Sequence, residues 1–107
     1  MIEAALGDPT LIRFRRALDE AYGARLERVV LYGSRARGDA RPDSDYDVAV
    51  FLRDMPDRVR EMNLLADLAT EVLYDVGGVV HAMPYRAGAY TEHTPLMHEI
   101  RADGVDL

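Results

Sequence analysis

A chain of 107 residues can bury one hydrophobic core but not two, so a single domain over 1–107 is expected. A hydrophobic share of 49% with 30% charged residues excludes a disordered chain, and the absence of cysteine excludes disulfide scaffolds and thiolate metal sites. The net charge of −6 argues against broad electrostatic binding of nucleic acid, which needs a basic face.

No apolar run approaches the roughly 20 residues that span a bilayer, so no membrane association is expected. The opening MIEAALGD has no basic start followed by a long apolar core. No secretory signal is therefore expected, and cytoplasmic residence is the default. No repeat or linker interrupts the chain.

Asp8-Pro9 signals a helix start, since Asp8 can cap free N–H groups and proline fits the first helical position. Leu11, Phe14, Leu18 and Tyr22 then recur at helical spacing, and Gly23 supplies a stop. Leu26 to Tyr32 holds the strand-forming run Val29-Val30-Leu31-Tyr32 and ends at Gly33. Residues 34–38 begin a short helix, 39–44 form a loop around Pro42, and Tyr46 to Leu52 is a second strand.

Pro56 opens a longer helix to about Tyr74, with Val59, Met62, Leu65, Ala66, Ala69, Val72 and Leu73 marking its apolar face. Gly77-Gly78 breaks it. A third strand runs from Val79 to Met83 and is closed by Pro84. Residues 86–93 carry no clear pattern. Thr94-Pro95 starts a last helix over 95–103, ended by Gly104. The expected class is α+β: a small mixed sheet, its first two strands antiparallel, with helices packed mainly on one face.

The chemistry lies in Leu31 to Phe51. Gly33 ends a strand and lacks a Cβ, so an anion can approach the turn closely. The following helix start offers free N–H groups, and Ser34 adds a hydroxyl. Ten residues later come Asp45-Tyr46-Asp47. Residues i and i+2 of a strand share a face, so Asp45 and Asp47 stand side by side, while Tyr46 and Val48 point into the core. Two adjacent carboxylates repel unless neutralised, and a hard divalent ion such as Mg²⁺ resolves this. All 13 basic residues are arginines, and Arg35, Arg37 and Arg41 cluster after Ser34. A local cationic patch beside a carboxylate pair suits an anionic ligand such as a nucleoside triphosphate held through a metal ion.

The stretch GSRARGDARPDSDYDV resembles the signature of the DNA polymerase β-type nucleotidyltransferase superfamily, and in detail that of minimal nucleotidyltransferase (MNT) domains. The resemblance implies a nucleotidyltransferase-like fold. It implies that Gly33 and Ser34 hold the phosphates of ATP, that Asp45 and Asp47 bind Mg²⁺, and that Arg35 or Arg37 contacts phosphate. It also implies transfer of AMP with pyrophosphate leaving. Stand-alone MNT proteins resemble the antitoxin half of MNT–HEPN toxin–antitoxin pairs, so the implied acceptor is a tyrosine of a HEPN-domain partner. A small molecule such as an aminoglycoside is the other acceptor considered. A homo-oligomer is compatible with this reading.

The superfamily commonly carries a third carboxylate on a later strand. The matching strand, GGVVHAMPY, has none. His81 falls where the acid would be. Its same-face neighbours Val79 and Met83 favour an ordinary, partly buried histidine; the alternatives are a base or metal ligand, or Asp75 swinging in. A chain without the third acid could also serve as a non-catalytic module that neutralises its partner by contact. His93 and His98 form no ligand pattern and are expected on the surface.

Overall fold

The computed structural model describes residues 2–107. Among these described residues five helices and four strands follow in the order α1 (Ile2–Gly7), α2 (Pro9–Tyr22), β1 (Leu26–Tyr32), α3 (Ser34–Arg37), β2 (Tyr46–Leu52), α4 (Arg58–Val76), β3 (Val80–Arg86), α5 (Pro95–Asp103) and β4 (Val105–Asp106). Short 3-10 turns precede β1 and follow β3. Among the described residues no helix is long and apolar enough to cross a membrane.

The sheet has the order β3-β2-β1-β4. β1 pairs antiparallel with β2 and β4, and β2 pairs parallel with β3. The loop between β1 and β2 allows the antiparallel pair, whereas a parallel pair needs a crossover, which α4 provides. β2 is central and buried on both faces, apart from Asp47 at its entry. Tyr46, Val48, Val50 and Leu52 meet α2 and α4 through Phe14, Leu18, Leu65 and Val72. On the other face Ala49 and Phe51 meet Met97 and Ile100 of α5. Both larger helices thus share one face, and α5 covers part of the other.

Capping bears out the starts of α2 and α5. The Asp8 carboxylate accepts the N–H groups of Thr10 (2.8 Å) and Leu11 (3.4 Å), and the Thr94 hydroxyl accepts that of Met97 at 3.2 Å. Other expectations need correction. α4 starts at Arg58 rather than Pro56, with Asp57 as its cap, and runs on to Val76. Its buried residues are Glu61, Leu65, Leu68 and Val72, while Val59 and Leu73 are exposed. Apolar periodicity misplaces the stripe because Glu61 goes inward, bonded to the Arg25 guanidinium at 2.6 Å.

β3 continues through Pro84 instead of ending there. The Tyr46 N–H bonds the Val79 carbonyl at 2.9 Å, so odd-numbered residues of β3 direct their amides to β2 and Pro84 faces the free sheet edge. A missing N–H there costs no ladder bond. Helix α1 and strand β4 carry no signal in the sequence reading. β4 adds only two residues, opposite Val30 and Leu31.

Candidate active site

The site begins where β1 turns into α3. Gly33 has φ 74° and ψ −157°, and a Cβ there would stand 2.6 Å from Asp47 Oδ2. Only glycine allows the turn and the carboxylate to come this close. The N–H groups of Ala36 and Arg37 bond the Gly33 carbonyl at 3.1 Å, so those of Ser34 and Arg35 precede the first intrahelical bonds. Gly38 and Asp39 then donate to the Ser34 carbonyl at 2.9 and 3.1 Å, closing α3 after a single turn.

The loop leading to Asp45 is held by Arg35. Its Nε and Nη2 donate to the Ser44 carbonyl at 3.1 and 2.8 Å, Nη2 also reaches the Pro42 carbonyl at 3.2 Å, and the guanidinium lies 4.1 Å over the Tyr46 ring. Arg35, expected alongside Arg37 as a phosphate contact, therefore serves the loop on the side away from Asp47. Tyr46 is buried, as expected, and its hydroxyl donates to Asp8 Oδ2 at 2.7 Å. The residue between the two aspartates is thus tied to the cap of α2, which fixes the strand entry that presents Asp45 and Asp47.

Asp47 shares its face with Tyr32 of β1 and His81 of β3, its partners across the two ladders. His81 Nδ1 lies 3.8 Å from Asp47 Oδ1, and the histidine side chain is 64% exposed. The reading of His81 as an ordinary, partly buried histidine is thereby corrected: α5 covers this face over Ala49 and Phe51 but not at the Asp47–His81 row. Asp75 does not swing in, being paired with Arg13 of α2 at 2.9 Å. His98 approaches Arg101 at 3.3 Å, and both His93 and His98 are exposed.

Charge at the site is finely opposed. The Asp47 carboxyl is pushed above the ordinary aspartate value, chiefly by burial; His81 works against this, Asp45 and Glu99 add to it, and Arg37 again lowers it. The Tyr32 phenol is pushed up to about 12 by burial first, then by Tyr85, Asp47 and Glu99. Glu99 escaped sequence reasoning, since its relevance depends on how α5 docks. Its Oε1 lies 3.6 Å from Arg37 Nη1, while Arg37 Nε reaches Asp39 at 3.4 Å.

Asp45 is exposed and Asp47 half-buried, and neither carboxylate accepts a hydrogen bond among the described residues. Free oxygen donors under mutual repulsion fit a hard divalent ion. No three carboxylate or imidazole groups among the described residues converge tightly enough to hold an ion by themselves. That also fits Mg²⁺, which commonly takes one or two carboxylates and leaves its other positions to phosphate and water. An apolar cleft between α4 and β3 is lined by Met62, Leu65, Leu73, Val79 and Met83, with His81 also in its lining.

The sequence matches the Nucleotidyltransferase domain family over residues 11–93. It is 28% identical over 96 residues to a candidate protein adenylyltransferase of Methanocaldococcus jannaschii, MJ0141, covering 88% of this chain and 91% of the relative. A second candidate protein adenylyltransferase of that organism, MJ0604, is 33% identical over 70 residues, 65% of this chain and 64% of the relative. Among solved structures, a toxin-antitoxin with AMP-PNP aligns with TM-score 0.65 and 20% identity, over 89% of this chain and 69% of that chain. A mutant of the toxin-antitoxin MntA-HpeT aligns with TM-score 0.64 and 18% identity, over the same shares. At these identities the structural likeness establishes the fold.

Proposed function

This chain belongs to the nucleotidyltransferase domain family, and we propose that it moves AMP from ATP to a protein acceptor, a tyrosine of a HEPN-type toxin, as the antitoxin of such a pair. The observation that carries this reading is the approach of Gly33 to Asp47, where a phosphate-type turn and a carboxylate meet with no room for a Cβ.

In this reading the Ser34 hydroxyl and the first amides of α3 hold the β- and γ-phosphates, and Arg37 adds a charged contact from the end of the same turn. Asp45 and Asp47 would hold Mg²⁺, which when bound neutralises charge on the triphosphate. Burial and repulsion raise the proton affinity of Asp47, and a cation relieves both. The acceptor oxygen bonds to the α-phosphorus as the bond to the β-phosphate oxygen breaks, and pyrophosphate leaves. His81, exposed beside Asp47, would take the proton from the acceptor hydroxyl. A protein acceptor is supported by the apolar cleft that His81 helps to line, and by the names of the two relatives. The toxin–antitoxin context is supported by the structural neighbours.

The test is transfer from ATP labelled at the α- or the γ-phosphate, with Mg²⁺ and the product of the neighbouring gene as candidate partner. The α-label alone should pass to the partner and map to a tyrosine. No label on the partner, under conditions where the two proteins bind, contradicts the reading.

One observation favours a second reading. His81 stands where the superfamily commonly places a carboxylate, so the chain could neutralise its partner by contact without turnover. Full neutralisation by an Asp45→Asn/Asp47→Asn double variant would select that reading.

A further inference from the structure

We propose that the acceptor docks as an added β-strand: an extended, uncharged segment pairs with the free edge of β3, in the cleft beside α4, and sets its tyrosine next to His81. That the segment is the acceptor rests on the nucleotidyl-transfer reading; the docking itself does not.

β3 ends the sheet order β3-β2-β1-β4, so one of its sides has no strand beside it. The Tyr46 N–H bonds the Val79 carbonyl at 2.9 Å, which turns the odd-numbered residues to β2. The N–H and C=O groups of Val80 and Ala82 therefore face outward, and no strand pairs them among the described residues. The cleft between α4 and β3 is built on this edge, with residues 79–83 lining it in succession. Successive side chains of a strand point to opposite faces. Such a run lines one cleft only where the backbone edge itself forms the wall. The other wall is the strip Met62, Ala66, Thr70 and Leu73 of α4, at helical spacing and exposed. Of all the lining residues only His81 carries an ionisable group. The cleft holds about 380 Å³, the size of a small-ligand pocket, which suits a few side chains rather than a folded domain.

These features select the occupant. Outward backbone groups are matched by the backbone of an extended chain, and an apolar helix flank beside a sheet edge takes its alternate side chains. An uncharged cleft disfavours a charged segment, which would lose its hydration there. The edge is also short, since Pro84 offers no N–H and Arg86 follows. Proline and charge at an edge act against pairing of whole sheets, so a short segment is favoured over a second copy of β3. The edge reaches the site through His81. Tyr32, Asp47 and His81 form one row across the ladders, and a residue opposite His81 takes the next place in it, on the same face. An antiparallel segment meets His81 at a non-hydrogen-bonded position, where facing side chains stand closest. A tyrosine there lies beside the imidazole whose Nδ1 is 3.8 Å from Asp47 Oδ1.

The experiment uses the whole chain and a fluorescein-labelled probe peptide, Thr-Val-Thr-Tyr-Thr-Val-Thr with blocked ends. Binding is read by anisotropy and its place by amide hydrogen exchange. The peptide should bind and slow exchange at Val80 and Ala82, leaving Val79, His81 and Met83 as they were. Ala82→Pro removes one outward N–H and spares the ladder to β2; it should weaken binding about fivefold to tenfold, the effect of one hydrogen bond. Ala66→Arg and Ala66→Glu crowd the other wall from an exposed helical position without touching the strand, and should weaken binding alike. Protection at Val80 and Ala82 with weakening from both walls supports the proposal. Binding without that protection overturns it, as does the absence of saturable binding. Opposite effects of the two Ala66 variants would reduce the effect to charge and overturn it. Protection of the same amides without peptide, rising with chain concentration, would give the edge to a second copy and also overturns it. Adding Mg²⁺ and ATP labelled at the α-phosphate separates the two readings. Label on the peptide tyrosine supports its place beside His81. Docking as described with no label on the peptide or on the product of the neighbouring gene leaves the added strand standing and overturns its role as acceptor.

Discussion

Gly33 has less freedom to change than any other residue of the site. Its φ of 74° suits glycine, and a methyl group would meet the Asp47 carboxylate at 2.6 Å. Gly33→Ala should lower stability by about 1–3 kcal/mol, from backbone strain, and displace Asp47; chemical denaturation with a nucleotide-binding assay checks both. Asp47 itself gives a pH signature. Its folded pKa lies above the ordinary 3.8, so between these values the folded chain binds the proton that the unfolded chain has lost. Stability from this group falls as pH rises through that window and stays low above it. Asp47→Asn should therefore raise the melting temperature at pH 7, and the difference should shrink as the pH falls below the ordinary aspartate value. Mg²⁺ should stabilise the parent chain but not this variant. These residues were legible because Gly-Ser and Asp-x-Asp restrict backbone and charge by themselves. His81 was legible as a position but not as an environment: its neighbours in the strand say nothing of where α5 ends its cover.

At the scale of elements, the carboxylate pair depends on Tyr46, whose hydroxyl reaches back 38 residues to the cap of α2. Tyr46→Phe should cost about 1.5–3 kcal/mol, the range for a bond to a charged acceptor, and should loosen the presentation of Asp45 and Asp47. Thermal unfolding and metal affinity measured together separate this from a simple loss of stability. Helix α4 depends on Glu61, which is 4% exposed and bonded to Arg25. Glu61→Ala should cost about 2 kcal/mol, less than the usual loss from breaking a buried pair, because Arg25 keeps Asp54 as a partner. A denaturant midpoint measured against the parent reads it. Both contacts explain what the sequence could not convey. Helical and strand periods locate apolar faces, but a buried carboxylate satisfied by a distant arginine breaks the period. Pro84 misled for a related reason, since only the place of β3 at the sheet edge makes a proline harmless there.

At the scale of the molecule, the fold brings one end of β1, the start of β2 and the start of β3 to a single row on one sheet face, Tyr32–Asp47–His81. The strands and their class could be read from patterning. The order β3-β2-β1-β4, the small β4 and the seat of α5 could not, because they are set by long-range packing of short segments. The row acquires its meaning from that packing, since Gly33 and Asp47 meet only when β1 and β2 pair in this register. The direct test is a crystal structure of the chain with Mg²⁺ and a non-hydrolysable ATP analogue. The proposed function predicts the triphosphate against the Gly33–Ser34 turn and a cation between it and the carboxylates of Asp45 and Asp47. A nucleotide bound elsewhere, or a triphosphate at the turn with no cation on either aspartate at saturating Mg²⁺, would contradict it.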